Sequence, residues 1–121
     1  MELLTEELQR LLPPIHSDAN VAQVKYFTPW SNWTWYASEA SAELADGSEV
    51  SLQDPRAAER VDVIFFGLVY GLEKEYGYFR LSELASVKGP FELGIERDLY
   101  FKPTPLSDCS DPNAAAPMTG L

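Results

Sequence analysis

Apolar residues follow a strand-like pattern along most of the chain. Between Val61 and Tyr70 they occupy both faces of a predicted strand, which is typical of a central strand covered on both sides. Elsewhere apolar and polar residues alternate, and Asp46-Gly47 is a favoured two-residue hairpin turn. These patterns predict strands at residues 21–28, 33–44, 49–52, 61–70, 76–81 and 95–102. We expect about four or five strands to form one antiparallel sheet.

Short helices are predicted on either side of these strands. Thr5 can cap a helix over residues 5–12, whose leucines share one face and which ends at Pro13-Pro14. Ser82 can cap a second helix over residues 83–87. The predicted fold class is therefore α+β, an antiparallel sheet with short flanking helices.

A single domain over residues 1–106 contains all of these elements. The chain has 121 residues, of which 45% are hydrophobic, and this suffices for one core. After Pro103 the apolar periodicity stops, so we expect residues 107–121 to form a disordered C-terminal tail. Cys109, the only cysteine, falls in that tail, where its thiol should react readily.

Acidic residues outnumber basic residues by 19 to 9, which gives a formal net charge of −10. A surface of this kind repels nucleic-acid phosphates and anionic membranes and attracts basic partners. The chain has no apolar run near the roughly 18 residues that span a bilayer, no secretory signal and no possible internal disulfide. We therefore expect a cytoplasmic protein that binds neither membranes nor nucleic acid directly.

No familiar catalytic set can be assembled from this sequence. The chain has one histidine, His16, and one cysteine, which are too few for a zinc site. The histidine lies in a predicted loop near the N-terminus, which disfavours a Ser–His–carboxylate triad. The segment Gly67–Gly71 lacks the Lys-Ser/Thr pair of a phosphate-binding loop, and there is no dinucleotide-binding fingerprint. The sequence predicts no catalytic residue, no metal and no cofactor, and it favours a protein that is not an enzyme.

Aromatic residues are concentrated between Phe27 and Tyr36. Trp33 and Trp35 should share one face of a strand, where they either belong to the core or line a ligand pocket together with Arg97. Alternation places Arg97 on the apolar face of the last predicted strand. There it either forms a structural ion pair or binds an anionic ligand.

Two further groups of residues are candidates for contact with a partner. Trp30 and Asn32 lie in the predicted loop before the second strand, and an exposed tryptophan is a frequent interface anchor. The second group consists of acidic residues on the predicted hairpin, where turn chemistry indicates exposure: Glu39, Glu43, Asp46 and Glu49.

A series of motifs also resembles a known family. In chain order the motifs are Leu3–Leu8, Leu12–Pro14, Phe27–Pro29, Ser31–Tyr36, Phe65–Val69, Gly77–Leu84 and Ile95–Phe101. The series is similar to a bacterial family of small proteins classed as a domain of unknown function, whose members resemble accessory genes of plasmids and other mobile elements. The resemblance implies no catalytic residues. It implies a setting in which small acidic proteins sometimes inhibit host defences by imitating DNA.

Three classes of function remain open at this point. The first is a non-enzymatic acidic interaction protein of a mobile element that binds a basic host or plasmid protein, with inhibition by DNA mimicry as its sharpest form. The second is a small ligand-binding domain or enzyme with an aromatic pocket around Arg97. The third, single-stranded nucleic acid binding through the tryptophans, is disfavoured by the net charge. We favour the first class, because the chain combines a large negative charge with no recognisable catalytic set.

Overall fold

The computed structural model describes residues 1–112 and is built around one large antiparallel sheet. In chain order the strands are β1 (Val21–Ala22), β2 (Val24–Phe27), β3 (Thr34–Glu43), β4 (Glu49–Ser51), β5 (Asp62–Tyr70), β6 (Lys74–Arg80), β7 (Glu96–Arg97) and β8 (Thr104–Pro105). The sheet has the order β6-β5-β3-β2-β7, with β4 paired to β3 as its sixth strand, while β1 and β8 form a separate pair. The antiparallel α+β fold is confirmed, but the expected four or five strands are too few.

Strand β5 has apolar side chains on both faces, and each face supports its own core. On one face Phe65 is fully buried in a larger core that also contains side chains of helices α1 (Glu6–Leu11) and α2 (Leu81–Ser86). On the other face Leu68 and Tyr70 are buried in a smaller core. The prediction of a strand covered on both sides is therefore confirmed.

Of the two helices, only α1 has the predicted cap. The Thr5 hydroxyl accepts the N–H of Leu8 at 3.2 Å. Helix α2 starts after Arg80, which makes no side-chain cap, and Ser82 lies inside the helix. The Ser82 hydroxyl donates to the carboxylate of Asp62 at 2.6 Å instead. The predicted Ser82 cap is wrong because a partner on β5, distant in sequence, binds the hydroxyl.

The last predicted strand, residues 95–102, is wrong over most of its length. Strand β7 contains only Glu96 and Arg97, which pair with β2. A turn follows, in which the Phe101 N–H donates to the Asp98 carbonyl at 3.3 Å. Strand alternation therefore ends before Leu99, which is exposed, and Phe101 packs against the smaller core instead.

The predicted domain boundary after residue 106 is too early. Cys109 is buried, and hydroxyl groups from the sheet bind the backbone around it: Tyr36 donates to the Ser110 carbonyl at 2.8 Å and Tyr70 to the Cys109 carbonyl at 3.3 Å. This segment covers the smaller core, and burial raises the pKa of the Cys109 thiol to about 11. The expected ready reactivity of the thiol is corrected accordingly. The rest of the predicted tail, residues 113–121, lies outside the described residues.

Candidate interaction surface

The chain reverses between β2 and β3 through residues 28–33, a segment we call the tryptophan loop. Thr28 closes it: the Thr28 N–H donates to the Trp33 carbonyl at 3.1 Å, and the Thr28 carbonyl accepts the N–H of Ser31 at 3.3 Å. Trp30 is half-buried, whereas Trp33 and Asn32 are exposed. The loop therefore holds two indole rings at one end of the sheet on a hydrogen-bonded backbone.

Trp33 packs against the turn between β5 and β6. A Cβ atom added to Gly71 would overlap the indole ring of Trp33, so glycine is required for this close approach. The ring centroid of Trp33 lies 5.9 Å from that of Trp35, which belongs to the larger core. At the tip of the same turn, the side chain of Leu72 is 93% exposed. The buried Trp35 and the turn thus fix the position of a surface tryptophan.

Trp30 supports a second loop, residues 88–94, in the same way. A Cβ atom added to Gly89 would overlap the Trp30 ring. The Gly89 N–H closes the loop by donating to the Leu93 carbonyl at 2.8 Å. Phe91 stands at the tip of the loop with 97% of its surface exposed.

These contacts gather exposed apolar side chains at one end of the sheet. We call this surface the apolar end; its members are Trp33, Leu72, Phe91 and Leu93. Exposed apolar groups on loops that adjoin one another, unlike scattered single ones, are candidates for an interaction site. The sequence indicated Trp30 as the exposed anchor and Trp33 as a core or pocket residue, whereas Trp30 is half-buried and Trp33 is exposed. It missed Leu72, Phe91 and Leu93. Their signal is an apolar residue at the tip of a glycine-bounded turn, and only the contacts of Trp33 with Gly71 and of Trp30 with Gly89 show that both turns adjoin the tryptophan loop.

Arg97 and Trp33 do not line the same cavity. Tyr26 of β2 pairs with both Trp35 and Arg97, so these three residues lie on the same sheet face. The Arg97 Nε–H donates to the Glu2 carbonyl at 3.1 Å and thereby holds the N-terminal segment. A cavity of about 290 Å³ beside Arg97 and one of about 310 Å³ beside Trp33 have different lining residues. The three candidate pocket residues are therefore not brought together at one opening.

Glu39, predicted to be exposed on the hairpin, is buried. Its carboxylate accepts the backbone N–H groups of His16 and Ala19 at 3.1 and 2.8 Å and the hydroxyl of Ser17 at 3.0 Å. A bulge in β3 between Ala37 and Glu39 lies at this point. The prediction of exposure is wrong because the segment before β1, which is distant in sequence, covers the carboxylate.

The other three acidic hairpin residues divide into a paired one and two exposed ones. Glu43 is half-buried and forms a two-point ion pair with the Arg80 guanidinium at 2.6 and 3.1 Å. Asp46 and Glu49 are exposed beside the hairpin turn. A hydrogen bond from the Ser48 hydroxyl lowers the pKa of Asp46, so its carboxylate is ionised at neutral pH. Only these two residues form an exposed acidic group on the hairpin.

Neither a metal-binding cluster nor a membrane-spanning helix is present within residues 1–112. Within that range no group of three or more His, Cys, Asp and Glu side chains is placed to hold a metal ion. No helix in the same range is long and apolar enough to cross a membrane.

Comparison with known proteins gives one match. Residues 3–118 match a family described as protein of unknown function (DUF2958). The searches of curated proteins and of solved structures found no match. Because the matched segment spans nearly the whole chain, the protein belongs to the DUF2958 family of proteins of unknown function.

Proposed function

We propose that this chain is a non-enzymatic interaction protein that binds a basic protein partner. One observation carries the proposal: thirteen carboxylate side chains but only five basic side chains are exposed within residues 1–112. Most of the net charge of −10 therefore lies at the surface. Such a surface produces a negative field that raises the rate of encounter with a positive partner.

Internal ion pairs leave this field largely intact. The salt bridges of residues 1–112 take their carboxylates from half-buried side chains: Glu43, Asp54, Asp62 and Asp98. Four of the nine basic residues are themselves half-buried, which reduces the positive charge at the surface further. The exposed carboxylates thus outnumber the cations that could neutralise them.

The geometry of the candidate pocket favours interaction over ligand binding. Arg97 and Trp33 line separate cavities, and the Nε–H of Arg97 donates to a backbone carbonyl of the N-terminal segment. A ligand site needs its polar groups to converge on one enclosed opening. The apolar end, by contrast, presents side chains outwards, as a protein-binding surface does.

In its sharper form, the proposal places the protein on a mobile element, where it inhibits a nucleic-acid-binding protein of the host or plasmid. Such a protein carries a basic surface that attracts phosphates and therefore also carboxylates. Support comes from the charge and from the motif resemblance described above.

Affinity capture from a bacterial lysate, followed by kinetics with the purified captured protein, tests the proposal. Association should slow steeply as salt rises, because the screening length shrinks from about 10 Å at 0.1 M to about 3 Å at 1 M. Asp46→Asn combined with Glu49→Gln should slow association at low salt, whereas the charge-preserving pair Asp46→Glu and Glu49→Asp should not.

Two results would contradict the proposal. One is tight binding of labelled duplex or single-stranded DNA to this chain at physiological salt, which its negative field should prevent. The other is partner association that does not respond to salt. Competition between duplex DNA and this chain for the captured protein decides whether the binding is DNA mimicry.

A further inference from the structure

We propose that the apolar end is the docking surface of this protein, with Phe91 as its anchor, and that its occupant is a basic protein segment with an apolar side chain flanked by Lys or Arg. The inference rests on the proposed function for the charge of the partner. The position of the surface is argued independently from the loops.

The backbone conformation at Phe91 destabilises the folded protein, and burial of the Phe91 ring does not compensate for this in the free chain. Phe91 and Glu92 have φ angles of 57° and 59°. These values lie in the left-handed region, which is unfavourable for most residues other than glycine and asparagine. Phe91 is 97% exposed, so its ring gains nothing from burial in the free protein. Strained residues of this kind concentrate at functional sites. A partner that buries the ring would recover the cost.

The tryptophan loop supports the backbone of both loops of this surface. Trp30 packs on the backbone at Gly89, two residues before Phe91, and Trp33 packs on the backbone at Gly71, the residue before Leu72. Both loops are therefore held by large rings from one hydrogen-bonded segment. A loop whose backbone is held in place before binding loses less conformational entropy on binding than a free loop does.

Charges around the apolar end indicate the chemistry of the occupant. Three exposed carboxylates belong to the segments that form it, residues 71–75 and 88–94: Glu73, Glu75 and Glu92. The two lysines of the same segments are Lys74 and Lys88, and the Lys74 ammonium lies over the rings of Tyr70 and Tyr76, 5.9 and 6.0 Å from their centroids. The rim is thus negative, and it complements a basic partner. A second copy of this chain, with its net charge of −10, would be repelled.

Selection from a displayed random dodecapeptide library against the full chain tests the docking surface. We expect enriched peptides that combine an aromatic or large aliphatic residue with Lys or Arg. Affinity for a selected peptide should fall about tenfold or more in Phe91→Gly. The same variant should melt about 3 °C higher, because glycine adopts a positive φ freely. Tyr78→Ser is the matched control, since Tyr78 is also an exposed aromatic residue, 57% exposed, but lies on β6 away from the turn. It should bind the peptide as the unchanged chain does.

Several results would overturn the docking surface. These are a library that yields no binder, peptides whose affinity Phe91→Gly leaves unchanged, and peptides whose affinity Tyr78→Ser lowers as much as Phe91→Gly does. A dimer in analytical ultracentrifugation that Phe91→Gly abolishes would make a second copy the occupant and refute the basic partner. The two proposals can be refuted separately. Basic peptides that bind elsewhere on the protein would refute only the docking surface. Uncharged peptides that bind at Phe91 with an affinity independent of salt would refute the charge-driven function.

Discussion

Replacement of Phe65 by alanine tests whether β5 lies at the centre of the larger core. Phe65 is fully buried, and its ring stacks on that of Phe79 at 5.2 Å and meets that of Tyr26 edge-on at 5.7 Å. The alanine variant leaves a cavity in the middle of the sheet. The flanking strands β3 and β6 are hydrogen-bonded to β5 along its length, so they cannot move in to fill it.

The expected loss is large compared with the stability of a domain. A buried Phe→Ala substitution costs about 3–5 kcal/mol, and aromatic pairs of this geometry place the loss in the upper half of that range. The total free energy of unfolding of a domain of this size is about 5–15 kcal/mol. Phe66, the neighbour on the opposite face, is half-buried and packs on the exposed Tyr78 at 5.2 Å. Phe66→Ala should therefore cost only about 1–2 kcal/mol.

Urea unfolding followed by tryptophan fluorescence and by circular dichroism measures both losses. Trp35 reports on the same core, and coincidence of the two signals checks two-state behaviour. Equal losses for the Phe65 and Phe66 variants, or a loss below about 2 kcal/mol for Phe65→Ala, would refute the burial argument. If Phe65→Ala does not fold, Phe65→Leu should still fold with a loss of about 1 kcal/mol.

Four further outcomes follow from single contacts. Gly67→Ala should lower the melting temperature sharply or prevent folding, because its Cβ would overlap the backbone carbonyl of Tyr36 on β3; thermal unfolding checks this. Glu39→Gln should lower the free energy of unfolding in urea by about 1–3 kcal/mol, because a glutamine amide cannot accept all three hydrogen bonds that the Glu39 carboxylate accepts. Asp46→Asn, at an exposed position, should leave the urea midpoint nearly unchanged. At pH 8 the Cys109 thiol should react on the order of a hundredfold more slowly in the folded chain than in urea, and equal rates would contradict its burial. Burial also raises the pKa of Tyr36 to about 12. Stability should fall between pH 10 and pH 12, where only the unfolded chain loses this proton, and Tyr36→Phe should weaken that fall.

Local sequence alone determined the elements whose signals lie within a few neighbouring residues. The apolar run from Val61 to Tyr70 identified the two-sided strand, because burial of both faces needs apolar residues at every position. Thr5 marked the start of α1, and Gly47, with φ of 86°, marked the hairpin turn. Each of these structures depends on backbone conformation and side-chain type within a short stretch of neighbouring residues.

Tertiary structure decided which polar and apolar groups are exposed. Glu39 looks like a surface residue by its type, yet backbone N–H groups some twenty residues earlier cover its carboxylate. Cys109 lies in a segment without apolar periodicity, yet tyrosine hydroxyls from the sheet bind that segment. No local pattern connects Leu72 with Phe91; they belong to one end of the sheet because indole rings of a third loop pack on Gly71 and on Gly89. Exposure depends on which distant segments pack together, and alternation within one strand carries no information about that.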